Sequence, residues 1–139
     1  MGGCKDLLVS VVTVQDWGAA TKRKYIQLER VEKATNMFTT ITIKSKAAYI
    51  DEAEAVDVSK ALHIMMDVMG SEKRDVETEI AYITLNRIRF EVYYDLPKKT
   101  WGSFVDFGRI TDNSTLLYEK IEFPSLVALI DQAIAKMRQ

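Results

Sequence analysis

An α+β fold, built as two strand-rich halves of about three to four antiparallel strands each and each followed by one amphipathic helix packed on a sheet, is what this sequence predicts. Three observations point there. Strand-like runs, β-branched at 7–14 and alternating at a period of two in several others, fill much of 25–50 and 79–118, the rhythm of half-buried strands. The period then changes to three-and-four steps twice, at 55–69 and at 123–137, which gathers side chains on one helix face. The two helical stripes also share a spacing: Ala55, Val58, Leu62, Met65 and Met69 map onto Phe123, Leu126, Ile130, Ala133 and Met137 at one offset, 68 residues. With the matching strand runs, this predicts a single domain over 1–139 with an internal duplication, about 7–70 and 79–138.

Each element has its own signal. Leu7 to Val14 is rich in β-branched residues, which suit a pleated surface. Gln15 to Lys24 holds Gly18 and no apolar period, so it reads as a loop. Tyr25–Val31 alternates as a second strand, and Asn36 breaks the run. Met37–Lys44 gives a third strand, with Thr39, Ile41 and Ile43 on one face, and Ala47–Ile50 extends it or adds a fourth. Asp51 followed by Glu54 has the spacing of a capping box for the first helix, and Gly70 is a natural stop. Ser71–Asp75 is a charged link. In the second half, Ile80, Tyr82 and Thr84 alternate up to a tight Asn86–Arg87 turn. Beyond it Ile88, Phe90, Val92 and Tyr94 share one face, and Arg89, Glu91 and Tyr93 the other. Asp95–Lys99 turns around Pro97. Trp101, Val105 and Phe107 return on one side with Phe104 on the other. Gly108–Ser114 turns once more, Thr115–Tyr118 is a last strand, and a final helix starts near Phe123 with Pro124 in its first turn.

Composition bounds the function classes. The chain has 139 residues, a hydrophobic share of 47% and a charged share of 28%, enough for a real core. Its formal net charge is -1, which does not favour a duplex nucleic-acid binder driven by overall charge. No segment approaches the ~18 uninterrupted apolar residues of a membrane span, so a soluble chain is expected. One cysteine, Cys4, and one histidine, His63, cannot form an internal disulfide or a four-ligand zinc site. A small residue before Cys4 with polar residues after it resembles the stub of a bacterial lipoprotein. Localisation is therefore cytoplasmic if Met1 is the native start, and periplasmic if Cys4 follows a removed signal peptide; the plainer reading of Cys4 is an ordinary surface cysteine.

Further along, Tyr49-Ile-Asp-Glu-Ala-Glu54, Glu79-Ile-Ala-Tyr82-Ile-Thr84, Gly108-Arg-Ile110 and Leu129–Met137 resemble a group of small uncharacterised bacterial proteins. The group shares a tyrosine–acid helix start, a Glu-x-x-Tyr-x-Thr strand and an Ala-Lys-Leu/Met ending, and the resemblance spans roughly 25–137. It implies export for many members and no activity. The order of strands and helices is also similar to that of the Whirly and purine-rich-element-binding proteins. None of their sequence motifs is present, and topology does not fix function.

The chemistry is sparse. His63, one residue past Leu62, would need a nucleophile or an orienting acid nearby to act as a base; a helix-flank histidine is otherwise simply part-exposed. Asp51, Glu52, Glu54 and Asp57 crowd a helix start but lack the spacing of a calcium loop, and acids there favour the helix dipole anyway. No phosphate-binding glycine loop, nucleophile elbow or zinc-protease motif occurs, so no cofactor, metal or catalytic residue is assigned and the enzyme reading ranks last. Small basic groups stand at Lys22–Lys24, Lys44 and Lys46, Arg87 and Arg89, and Lys98–Lys99. Arg87, Arg89, Tyr93 and Trp101 are the candidate ligand-binding residues, as aromatic platforms beside charge suit stacked bases or a protein partner. Against this, Trp101 belongs in a core and the charges on a solvated face. The expected function is a non-enzymatic binding or structural module for an unidentified protein or small ligand, associated with the cell envelope if Cys4 marks a lipoprotein. The alternative is a single-stranded nucleic-acid binder using the basic, aromatic sheet face. An exposed sheet edge would allow a homodimer.

Overall fold

A computed structural model describes residues 3–4, 7–18, 21–71, 74–107, 115–119 and 122–139. The first sheet holds β1 (Gly3–Cys4), β2 (Leu7–Gln15), β3 (Lys22–Thr35) and β4 (Thr40–Asp51), in that spatial order, and leads into α1 (Glu52–Gly70). The second holds β5 (Thr78–Ile83), β6 (Arg89–Asp95), β7 (Thr100–Asp106) and β8 (Thr115–Glu119), and leads into α2 (Phe123–Met137). All neighbours pair antiparallel. The α+β class and the sheet-then-helix order match the sequence reading. The expected Gly108–Ser114 turn and the Gly108-Arg-Ile110 motif lie outside the described residues, as does the side chain of Cys4.

Alternation decides which face is buried. Leu7 and Val9 of β2, Ile26 and Leu28 of β3, and Ala48 and Ile50 of β4 are buried on one side of the first sheet. Phe90, Val92 and Tyr94 of β6, with Trp101, Ser103 and Val105 of β7, do the same in the second. The helices supply the covering surface. All five stripe residues of α1 and all five of α2 are buried, and Val127 and Leu129 widen the apolar face of α2. These side chains belong to one contiguous core. Within it α1 meets α2, β3, β4, β5 and β6, whereas α2 lies against β1, β2 and β3.

Strand lengths depart from the sequence reading. β3 runs 14 residues and β4 runs 12, because the chain reverses at Asn36 rather than simply breaking there. The Asn36 Oδ1 accepts hydrogen bonds from the backbone N–H of Phe38 at 2.8 Å and of Thr39 at 2.9 Å, and its own N–H donates to the Thr39 carbonyl at 3.0 Å. This asparagine-closed turn puts Met37 and Phe38 at a hairpin tip instead of in a strand. Ala47–Ile50 continues β4 after a bulge at Arg30/Val31, where Ser45 has no partner in the pairing.

The expected capping box at the start of α1 does not form. Asp51 makes no side-chain cap. Glu54 turns away from the helix: its carboxylate accepts the Leu85 N–H at 3.1 Å to each oxygen and the Tyr82 hydroxyl at 3.4 Å. The turn after β5 comes down beside the first turn of α1, and its N–H gives the carboxylate a partner there. Within that turn, Thr84 Oγ1 accepts the Ile88 N–H at 3.0 Å, and Arg87 takes a left-handed φ of 66°. At the other end Gly70 is the last helical residue rather than the cap. Ser71 closes α1, donating from both its N–H and its hydroxyl to the Val68 carbonyl.

The helices also share a polar contact. Asp131 accepts from Ser59 Oγ at 2.6 Å and meets His63 Nε2 at 2.7 Å. His63 and Asp131 are 68 residues apart, the same offset that superposes the two apolar stripes.

Two predictions follow from this packing. A Cβ added to Gly102 would lie 2.5 Å from the Tyr93 Cζ and hydroxyl oxygen, because the ring of Tyr93 lies over its cross-strand partner Gly102 and covers the bare backbone. Gly102→Ala should therefore displace Tyr93 and destabilise the fold by about 1 kcal/mol. In a Tyr93→Ala background the same change should become neutral or stabilising, since alanine restricts the unfolded chain; a four-point denaturation cycle reads the reversal. The second concerns Tyr82, whose pKa is raised above the ordinary 10.0 by burial first, then by the negative charges of Glu54 and Asp57 and the hydrogen bond to Glu54. Its contribution is fully present below about pH 10. Above that the unfolded chain releases the phenolic proton first, so stability falls as pH rises through the folded-state value. Urea titrations across the alkaline range should show a shallower loss for Tyr82→Phe than for the parent.

Candidate functional site

The four residues singled out from sequence do not form one site. Arg89 and Tyr93 stand on the outer face of β6, and Arg87 is exposed in the preceding turn. Trp101 faces the other way. It pairs across from Tyr94, is only 7% exposed, meets the Tyr94 ring edge-on at 5.2 Å between centroids, and lies beneath the guanidinium of Arg74 at 5.7 Å. Strand alternation forces this: Tyr93 and Tyr94 are adjacent, so their cross-strand partners Gly102 and Trp101 point to opposite faces.

Nor is the outer face of the second sheet basic. Arg89 is held by Glu91 at 2.5 Å, and the Glu91 side chain is 7% exposed at the centre of that face. Cross-strand rows place Glu79 beside Tyr93, and Asp106 beside Arg89. The other basic groups are dispersed. Lys24 donates to the Met137 carbonyl at 2.7 Å and so closes the C-terminal end of α2, where a cation complements the dipole. Lys98 folds back toward Asp95 at 3.9 Å.

The Ser59–Asp131–His63 contact is not arranged for nucleophilic catalysis. The serine hydroxyl is bonded to the aspartate and not to the histidine, so no base is poised on it. Its His63 and Asp131 side chains are 48% and 40% exposed, which makes it a surface clasp between helices. Among the described residues no group of three or more His, Cys, Asp and Glu side chains could hold a metal ion.

A cleft of about 610 Å³ opens instead at the seam between the halves. Its floor is the outer face of the first sheet, opposite the helices. The row Val12–Tyr25–Asp51 crosses three strands in register, and Val14 and Tyr49 flank it. The walls come from the second half: Asn86 in the β5–β6 turn and Phe107 at the end of β7. Asn86 Nδ2 donates to the Tyr49 carbonyl at 2.8 Å, which ties the turn to the edge of β4. Tyr25 and Tyr49 meet edge to face, their centroids 6.3 Å apart and their planes at 78°, forming an aromatic corner. Asp51 is part-buried, and its carboxylate caps nothing and makes no hydrogen bond or ion pair among the described residues. An unpaired carboxylate beside two electron-rich rings creates a negative potential in an otherwise apolar hollow.

Sequence reasoning reached Tyr49 and Asp51 as a tyrosine–acid helix start, with Asp51 also read as a cap and as one of an acidic cluster, and missed the cleft itself. The available signal was that Tyr25, Tyr49 and Asp51 flank Ile26 and Ile50, and so face away from the core. Which of them would meet depended on register. Among the described residues no helix is long and apolar enough to cross a membrane. No protein-family model, no curated protein and no solved structure matches this chain.

Proposed function

We propose that this protein is a non-enzymatic binding module that takes a small ligand in the seam cleft. The observation that carries the reading is the Asp51 carboxylate, without a partner among the described residues, against the Tyr25–Tyr49 corner in a hollow of about 610 Å³. Such a hollow is the size of ordinary small-molecule sites. Its chemistry selects a flat or compact apolar body carrying a cationic nitrogen. The apolar part would lie on Val12, Val14 and Phe107, and the nitrogen between the tyrosine faces and the carboxylate. The Asn86 amide, fixed by the Tyr49 carbonyl, keeps the second half in place as the opposite wall.

The nucleic-acid reading draws less support. The residues meant to form its platform face opposite sides of a sheet, Arg89 is neutralised by Glu91, and Lys24 is engaged at the end of α2.

Titration calorimetry with benzylammonium and benzoate tests the ligand class. The ammonium should bind and the carboxylate should not. Asp51→Asn should weaken ammonium binding about tenfold, in line with a lost charged partner, and Tyr49→Ala should weaken it comparably while leaving the thermal midpoint within a few degrees. Equal binding of both probes, or binding indifferent to both substitutions, would sink this reading.

A further inference from the structure

The hairpin of β3 and β4 reaches past the rest of its sheet. β2 pairs with Lys22–Arg30 only, so Val31–Thr35 and their partners Thr40–Lys44 stand clear of it. At the strand rise this arm is roughly 16 Å long. Its tip carries Met37 and Phe38, each 91% exposed, with Ile41 57% exposed behind them. Large apolar side chains so fully presented are costly in water and mark a surface that meets something apolar.

We infer that this arm is a membrane-docking device that inserts its Met37–Phe38 tip into the interface of an anionic lipid bilayer. This inference is independent of the seam cleft. Three features of the arm fit a lipid surface. First, part of the tip's backbone is paired within the turn: Asn36 Oδ1 accepts from the N–H groups of Phe38 and Thr39, the Asn36 N–H donates to the Thr39 carbonyl, and the Thr35 and Thr40 hydroxyls bond to each other at 3.3 Å. Each internal pair lowers the cost of carrying backbone into a region poor in water. Second, charge is graded along the arm. Positions 34–43 hold no charged residue, and Lys33, Lys44 and Lys46 follow, against Glu32 alone. Counted back from the closing Thr35–Thr40 pair, Lys33 stands two rungs behind and Lys44 and Lys46 four and five rungs behind, about 7 Å and about 13–17 Å at the strand rise. For an element buried about 5–10 Å deep, the first cation position therefore meets the headgroup phosphates and the other two lie in the water layer just beyond them. Third, residues 31–46 carry a net +2 while the whole chain is -1. The arm's length places the more acidic body beyond a Debye length of about 8–10 Å, so repulsion from anionic headgroups is screened. A nucleic-acid groove is the poorer match, because no cation lies beside the apolar wedge to hold the flanking phosphates.

Vesicle flotation tests this with the intact chain and two lipid compositions, phosphatidylcholine alone and phosphatidylcholine mixed with phosphatidylglycerol. The parent should float with the mixed vesicles, and less well as salt rises. Met37→Ser with Phe38→Ser should lower the partition coefficient about tenfold or more, with an unchanged circular-dichroism melt because both residues are solvent-exposed. Lys33→Gln with Lys44→Gln and Lys46→Gln should remove the preference for phosphatidylglycerol while retaining weak binding to both vesicles. Absence of flotation, or flotation unaffected by the tip substitutions, overturns the inference. So does a tip-dependent gain in mass on gel filtration, or tip-dependent oligonucleotide binding, without flotation; either would give the arm to a second copy or to nucleic acid.

Discussion

Two sheets that share no ladder must be joined by something other than strand pairing, and here that work falls to the apolar face of α1. Among the described residues no strand of the first sheet hydrogen-bonds to a strand of the second. The five stripe residues from Ala55 to Met69 are dry because β3 and β4, β5 and β6, and α2 all close on the same helix. Burying a side chain such as Leu62 or Met65 from both directions removes it from water completely, a contribution of about 1.5–3 kcal/mol each. A helix serving one sheet alone would leave half of that on the table. Because the stripe is shared, neither half has a closed apolar surface without the other.

Polar contacts then fix how the halves sit. Hydrophobic burial is non-directional, so it holds the sheets together without choosing a single arrangement. Glu54 with Leu85 and Tyr82, Asn86 with Tyr49, and Asp131 with Ser59 and His63 each span the two halves. Two of these three meet where β4 runs into α1. The seam cleft is therefore a by-product of docking: its floor and walls belong to different halves, and the same asparagine that positions one half also borders the hollow.

Much of the fold was legible because it depends on local periodicity. The switch from alternation to three-and-four steps located both helices, and the faces of β6 and β7 followed from counting by twos, which placed Ile88, Phe90, Val92 and Tyr94 inside. What failed depended on distant partners. Asp51 and Glu54 have the spacing of a cap, yet Glu54 finds a better donor in a turn 31 residues further on. Trp101 was open to two readings, a platform beside charge and a core residue, and pairing with Tyr94 gives it to the core. For the Tyr25–Asp51 row alternation could give only the face, since which residues meet depends on register between strands whose ends the sequence misplaces by several residues. Asn36 was recognised as an interruption; its role as the acceptor that closes a turn, and so lengthens β3 and β4, was not.

The bulge at the root of the arm has a consequence of its own. Ser45 is one extra residue on one side of an otherwise regular ribbon, and such an insertion bends and overtwists the strand that bears it. Excising that serine would let the ribbon run straight on in the plane of the parent sheet, with its pairing intact and its apolar end aimed elsewhere. Reach is thus encoded by how many rungs the ribbon has, and bearing by a single unpaired amino acid, so the two can change separately in a lineage without disturbing the core.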